Sequence, residues 1–252
     1  MNWETLVAAI VFYTRIPIPF AQLLPFHKVA RWAPIVGLLI GILLAGLDTF
    51  LAQLAMPILT RSAVVVAFWI ALTGGLHLDG AIDSADGLAV TDPERRLAVM
   101  TESTTGAFGA MVAGLLLLLK VTALSDLPFQ RLWLLPLAAG WGRWGQQVAI
   151  GCYPYLKPTG KGAFHQQAIR SFWDTLPSLL LLLGLSALPL AISPHAWSMA
   201  IGSASGGFLA FTVAAWFNGQ LGGHTGDTYG AVVEWTEALF LVGMTLVIPS
   251  PV

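Results

Sequence analysis

The chain is dominated by long uncharged apolar runs, and a helix that crosses a bilayer needs roughly 20 such residues in succession. Seven stretches approach that demand, some with marginal polar content: about 32–54, 62–78, 106–123, 132–150, 176–193, 196–217 and 230–248. Of the 252 residues, 56% are hydrophobic and only 10% are charged, with a mean hydropathy of +0.76. A soluble domain carries about 25% charged residues, so 12 Lys and Arg with 13 Asp and Glu cannot clothe a water-facing surface of this size. A soluble enzyme and a disordered chain are both excluded. The net charge of −1 supplies no basic field, which argues against nucleic acid as a partner. Cys152 is alone, so neither an internal disulfide nor a multi-thiolate zinc site can form. No low-complexity linker or internal repeat divides the chain. The expectation is all-α: a polytopic integral membrane helical bundle of about seven transmembrane helices, with residues 1–252 as a single membrane-embedded domain.

The apolar run from Thr5 to Tyr13 is too short to span and has no Lys or Arg before it, unlike the start of a cleaved signal. Trp3, Leu6, Val7 and Ile10 share a helical face, and Pro17 and Pro19 follow, so residues 2–16 read as a helix lying in the membrane interface. Counting cations sets the orientation. With seven spans, one side receives Arg15, Lys28, Arg31, Arg95, Arg96, Lys157, Lys161 and Arg170, the other Arg61, Lys120 and Arg131, while Arg143 falls within a span. The eight-to-three bias makes the N-terminus cytoplasmic. It also puts the polar loops 79–105, 151–175 and 218–229 on the cytoplasmic face of the membrane.

Six of the 13 acidic residues lie within the first of these loops: Asp79, Asp83, Asp86, Asp92, Glu94 and Glu102. In a helix, Asp79, Asp83 and Asp86 fall within about 60° of one another, on one stripe. At about 6 Å and an effective dielectric near 20, each such pair costs roughly 3 kcal/mol. No Lys or Arg stands within eight residues of the stripe. A divalent cation would relieve the repulsion, and hard oxygen donors favour Mg²⁺, which commonly shares its coordination with substrate phosphates. His77 points about 160° away from the stripe; it reads either as a ligand or substrate contact or as a packed histidine. Asp92 before Pro93 reads as a helix cap rather than a catalytic group.

The stretch Tyr153-Pro-Tyr-Leu-Lys-Pro-Thr-Gly-Lys-Gly162 holds two cations among turn residues. Lys157 and Lys161 would either clamp a phosphate beside the metal or anchor the loop at lipid headgroups. In Gly222-Gly-His-Thr-Gly-Asp-Thr-Tyr-Gly230, backbone amides around Gly223 and Thr225 can cradle phosphate oxygens, and Asp227 can bind a metal or orient a hydroxyl. Glu234 and Glu237 follow on one face of the last span, where a carboxylate is functional by default. The plainer alternative pairs them with Arg143.

Together, GGLHLDGAIDSADGL (74–88), the PYLKPTGKG loop and GGHTGDTYGAVVEWTE (222–237), preceded by TRIPIP (14–19), resemble the cobalamin synthase family from near the N-terminus to the final span. Thr104 stands where that family usually has Arg, and Val233 where it usually has Asn. The resemblance implies an adenosylcobinamide-GDP ribazoletransferase. Such an enzyme joins adenosylcobinamide-GDP to α-ribazole, or to its 5′-phosphate, and releases GMP with Mg²⁺ as cofactor. It implies a catalytic set of Asp79, Asp83, Asp86, Asp227 and Glu234, the first three holding the metal. His77, Arg143, Lys157, Lys161, Gly223 and Thr225 would then contact substrate. The partners implied are the two substrates and membrane lipid; a second copy, or other corrin-assembly enzymes, stays open. Two rivals also stay open: a CDP-alcohol-type phospholipid phosphotransferase and a divalent-cation transporter.

Overall fold

The computed structural model describes residues 3–19, 24–157, 162–193 and 195–248. Among them the chain is helical throughout, with one isolated β-bridge, between Tyr155 and His224. The helices are α1 (Trp3–Tyr13), α2 (Ala33–Gln53), α3 (Ile58–Thr73), α4 (Leu76–Ala89), α5 (Pro93–Val99), α6 (Ala107–Asp126), α7 (Arg131–Cys152), α8 (His165–Ala168), α9 (Leu176–Ile192), α10 (Trp197–Leu221) and α11 (Gly226–Val247). Short 3₁₀ turns, Phe26–Trp32 and Phe172–Thr175, lead into α2 and α9.

By length and composition, five helices can cross a membrane: 26–53, 107–126, 172–191, 197–221 and 226–247. A sixth arises if α3 and α4 count as one span bent by 91°. The expected count of seven is therefore not confirmed. The stretch expected at 62–78 is interrupted inside its apolar run, because Gly74 and Gly75 both take left-handed backbone (φ 64° and 70°). That conformation is cheap only for glycine. The stretch expected at 132–150 is helix α7, but it carries Arg143, Gln146 and Gln147 and lies buried along nearly its whole length. α7 packs on α2, α10 and α11. Neighbouring helices rather than lipid meet its polar side chains.

Small residues let these helices touch. A Cβ at Gly41 of α2 would stand 2.5 Å from the Leu135 carbonyl of α7, and one at Gly206 of α10 would strike the Trp141 ring. Such close approach is how helices associate where lipid offers no hydrophobic drive. α9 shows the opposite character: Leu180, Leu181, Leu183 and Leu188 remain exposed, as the lipid-facing role of its leucine-rich sequence predicts. α1 buries Thr5, Ala8, Ala9 and Tyr13 and leaves Trp3 outward, consistent with a helix lying along the bundle's edge. Trp32 Nε1 donates to Thr5 Oγ1 at 2.9 Å and ties α1 to the start of α2.

Two cations assigned by sequence to outer loops are buried. Lys120 of α6 is 3% exposed and contacts both Glu234 and Glu237 of α11 at 2.6 Å. It also sits 4.4 Å over the Trp69 ring of α3. Arg131 opens α7 and pairs with Asp48 of α2, which Arg61 of α3 also approaches at 3.1 Å. Arg61, Lys120 and Arg131 thus each have an acidic partner inside the bundle. A buried charge that loses its partner costs about 3–5 kcal/mol. Lys120→Met should therefore lower the unfolding midpoint in nanodiscs sharply, while Lys28→Ala, at an exposed side chain of the 26–32 turn, should stay within about 0.5 kcal/mol of the wild type. An unchanged midpoint for Lys120→Met would show that the ion cluster contributes nothing to stability.

Candidate functional site

The acidic stripe forms as a helix: Asp79, Asp83 and Asp86 all lie on α4. α4 is held against α11 by two contacts between backbones. A Cβ at Gly80 would stand 3.0 Å from Asp227 Cα, and one at Gly230 would stand 2.8 Å from the His77 carbonyl oxygen. This approach brings Asp227, in the first turn of α11, to the acidic stripe. Asp83 lies in the combined field of Asp79, Asp227 and Asp86, with Lys157 as the opposing cation.

Asp86 has a second occupation. Its Oδ2 accepts from Gly106 N at 2.7 Å and its Oδ1 from Gly109 N at 2.8 Å. A carboxylate there satisfies orphan amides and faces the positive end of the α6 dipole. Among the described residues, no group of three or more His, Cys, Asp or Glu side chains is arranged to hold a metal ion. Asp79, Asp83 and Asp86, expected from the stripe to share a Mg²⁺ ion with substrate phosphates, are therefore not gathered into a ready three-carboxylate group. The donor set still suits a hard ion held by one or two carboxylates and completed by substrate phosphates.

The two other polar loops meet this cluster. Residues 154–156 run alongside 223–224: His224 N donates to Pro154 O and Leu156 N to His224 O, each at 2.8 Å. Gly223 lies where a Cβ would press 2.7 Å from Pro154 O, so its role here is close packing between the loops. This zipper delivers Lys157 Nζ to 3.3 Å from Asp227 Oδ2. Thr225 caps α11 by accepting from Thr228 N, and its hydroxyl donates to Asp227 Oδ2 at 3.2 Å. Lys161 lies outside the described residues. On the far side, Arg96 Nη1 donates to Gln220 O at 3.0 Å and joins α5 to the end of α10. Asp92 caps α5, as its place before Pro93 predicts.

Burial pushes the His224 imidazole down to about 4 and the His165 imidazole down to about 4. Both rings are therefore neutral at pH 7. His224 Nε2 lies 3.2 Å from the Ala214 carbonyl, which can only accept, so that nitrogen carries the proton. Burial also raises the Tyr155 phenol, more strongly than the donation it accepts from Gly162 N lowers it.

Two sequence candidates, Arg143 and Glu234, lie elsewhere, and a third, His77, is buried in the wall of a cavity beside Asp79. Arg143 is fully buried and pairs with Glu237, so it reaches substrate only through other groups. Glu234 Oε2 is held by Lys120 at 2.6 Å, about two helical turns from Asp227 along α11. Its pairing is ionic, as the plainer alternative held, but the cation is Lys120 rather than Arg143. His77 is 2% exposed, stacked on Tyr13 at 6.0 Å, with Nδ1 3.5 Å from Arg143 Nη2.

Asp79 stands in the shared wall of two cavities. One, of about 560 Å³, is lined by Thr14, Arg15, Gly74, Leu78 and Ile82 among others. The other, of about 300 Å³, is lined by His77, Gln146, His165, Asp227 and Tyr229 among others. Arg15, Gln146, His165 and Tyr229 were not singled out from sequence. Tyr229 is two residues beyond Asp227 in the same motif, and Arg15 sits in TRIPIP. His165 carries no local signal, because only the fold-back of the α7–α9 connection brings it here.

The chain matches the Cobalamin-5-phosphate synthase family over residues 5–245. It is 60% identical to an adenosylcobinamide-GDP ribazoletransferase of Trichormus variabilis over 242 residues, 96% of each chain. A Synechocystis sp. protein of the same name is 47% identical, covering 97% of this chain and 95% of that one. One from Prochlorococcus marinus is 34% identical, covering 99% and 98%. No solved structure matches. With a match running nearly end to end, the chain belongs to the cobalamin-5-phosphate synthase family.

Proposed function

We propose that this chain transfers the phosphoryl-linked corrin of adenosylcobinamide-GDP to α-ribazole or its 5′-phosphate, releasing GMP, at the cytoplasmic face of the inner membrane. The observation that carries the reading is the meeting of Asp79, Asp83 and Asp227 with Lys157 beside two cavities that share Asp79 as a wall. A two-substrate transfer needs two compartments opening on one charged centre. A divalent-cation transporter would need free carboxylates inside the bundle, whereas Glu234 and Glu237 are already paired with Lys120 and Arg143.

In the reaction a ribazole hydroxyl attacks the phosphorus attached to the corrin arm. A new O–P bond forms, the P–O–P bridge breaks, and GMP departs with the bridging oxygen. The hydroxyl proton passes to a carboxylate of the cluster. Lys157 balances charge on the pyrophosphate, and Thr225 fixes Asp227 Oδ2. One or two of Asp79, Asp83 and Asp227 would hold Mg²⁺ together with substrate phosphates. The ion, when bound, would offset charge on the bridging oxygens and make the hydroxyl more acidic. Asp86 contributes by fixing the start of α6 against α4.

Purified protein in nanodiscs, given adenosylcobinamide-GDP, α-ribazole and Mg²⁺, should release GMP. Asp79→Asn, Asp83→Asn and Asp227→Asn should each cut that rate by about 10²–10⁴, as other losses of transition-state electrostatics do. Asp92→Asn and Glu94→Gln should be nearly silent. Asp83→Asn with near-normal turnover and unchanged Mg²⁺ dependence would overturn the assignment. For Asp86→Asn the expected effect is mainly on stability, by about 0.5–2 kcal/mol as for a lost cap. Lys157→Ala removes a charge-assisted contact worth about 1.5–3 kcal/mol. It should raise KM for the corrin nucleotide at least about tenfold and leave that for α-ribazole nearly unchanged; equal small effects would make Lys157 a headgroup anchor. Orientation has its own test. A cysteine placed at Arg96 should react with an impermeant thiol reagent in inverted membrane vesicles and not in intact cells, and the reverse pattern would put the site on the wrong side.

A further inference from the structure

The larger cavity, of about 560 Å³, is bounded by α1, the residues that follow it, and the elbow between α3 and α4. Among the described residues its lining carries one cation, Arg15, and one acid, Asp79. Arg15 is exposed, and among the described residues its guanidinium has neither an ion-pair partner nor a hydrogen-bond acceptor. That sets it apart from Arg31, Arg61, Arg131 and Arg143, each paired with a carboxylate, and from Arg96, which donates to two carbonyls. Lys157, the other cation of the site, is already paired with Asp227.

The free guanidinium stands on a fixed base. Arg15 N donates to Leu72 O at 2.7 Å. Thr14 beside it is buried, its hydroxyl donating to Ile10 O at 2.6 Å and accepting from Ile16 N at 3.2 Å. The backbone of Arg15 is thereby tied to the ends of both α1 and α3. Its side chain then runs across Gly74, where a Cβ would lie 2.9 Å from Arg15 Cγ and 3.0 Å from Cδ. Gly74 also takes left-handed backbone, φ 64°, so one glycine both turns the elbow and clears the path of the arginine. A cation that snorkels to lipid headgroups depends on a long flexible stem, whereas this one is anchored in a cavity it shares with Asp79. A guanidinium offers a planar fork of donors that matches phosphate oxygens two at a time.

We propose that Arg15 binds the nucleotide phosphate that departs in GMP, in the cavity whose wall Asp79 completes. The identity of the nucleotide rests on the proposed reaction; the phosphate chemistry rests on the free guanidinium and its cavity. In that reaction the nucleotide phosphates must reach the acidic cluster, because the phosphorus attacked is one of them. α-Ribazole takes part with or without a 5′-phosphate, so a fixed cation answers the phosphate present in every turnover. As the P–O–P bridge breaks, negative charge gathers on the GMP phosphate, and a guanidinium bound there offsets it. Lipid headgroups carry the same phosphate chemistry, and the test separates the two sources.

The test uses the full chain in phosphatidylcholine nanodiscs with Mg²⁺. Calorimetry reads equilibrium binding of GMP. Arg15→Gln should raise the Kd of GMP at least about tenfold, equivalent to about 1.4 kcal/mol, and leave guanosine binding nearly unchanged. Arg15→Lys, which restores the charge without the fork, should recover part of the affinity. KM for adenosylcobinamide-GDP should rise in Arg15→Gln while that for α-ribazole holds. Arg95→Gln, at an exposed arginine of α5, should change none of these. On the wild-type protein, phenylglyoxal modification followed by peptide mapping reads the same site without a mutation. GMP should protect Arg15 and leave Arg95 reactive, whereas guanosine and α-ribazole 5′-phosphate should protect neither. The proposal is overturned if a folded Arg15→Gln variant keeps wild-type affinity for GMP, or if GMP fails to protect Arg15. Protection by phosphatidylglycerol in the nanodisc but not by GMP would overturn it in favour of a headgroup contact. Should Arg15→Gln not fold, protection on the wild type decides alone. Protection by GMP without GMP release from the two substrates would uphold the phosphate site and sink the proposed reaction.

Discussion

The site depends on how closely α4 and α11 approach one another. Gly80 lies flat against the backbone of Asp227 and Gly230 against that of His77, so these two helices meet backbone to backbone. Helices that meet through larger side chains lie about 8–10 Å apart, which would carry Asp227 away from Asp79 and Asp83. The carboxylates repel one another, so nothing in the cluster itself draws α11 toward α4. The attraction comes from deeper in the bundle, where Lys120 holds Glu234 and Glu237 and Arg143 holds Glu237. Those ion pairs fix α11 to α6 and α7, and the glycines let the fixed helix lie against the acidic stripe.

The molecule thus handles its acidic groups in two ways. Asp48, Glu234 and Glu237 are buried and matched by Arg61, Arg131, Lys120 and Arg143. Asp79, Asp83 and Asp227 are gathered at the loop end, where Lys157 opposes Asp83 and pairs with Asp227. Buried charges require partners in a low-dielectric interior, so the first set is structural. The second set places carboxylates beside two cavities, which suits a reaction whose substrates bring phosphates and whose ion completes its coordination on them. Asp86 lies between these roles: it belongs to the stripe by helical phase, and its two oxygens serve the α6 amides.

Much of this was legible before any coordinates. Apolar runs and scarce charge required a helical membrane bundle, and helical phase put three Asp on one stripe of α4. Asp92 before Pro93 marked a cap, and the glycine-rich 222–230 segment lies beside the acids. What escaped was set by tertiary pairing. Hydropathy places Lys120 and Arg131 at the edges of spans because it cannot see that Glu234, Glu237 and Asp48 wait on other helices. The same blindness counted α7 as an ordinary span, although its Gln147 donates to the Ala30 carbonyl from inside the bundle. That Asp86 also serves the α6 amides is not legible, because Gly106 and Gly109 lie 20 and 23 residues further on and return to it only in three dimensions. The break at Gly74 and Gly75 was visible as a glycine pair, but its sharp turn depends on both residues adopting left-handed backbone.

The central claim is that the glycine contacts between α4 and α11 assemble the reacting centre, and Gly80→Ala tests it most directly. The added methyl would have to displace the Asp227 backbone, and misplacing reacting groups by about 1 Å can cost 10²-fold in rate. Gly114 of α6, with open space around its Cα hydrogen, supplies the matched control. The measurement is GMP release by folded Gly80→Ala and Gly114→Ala protein in nanodiscs under identical substrate and Mg²⁺. The account predicts a loss of about 10²-fold or more for Gly80→Ala and near wild-type turnover for Gly114→Ala. Wild-type turnover by Gly80→Ala would contradict it.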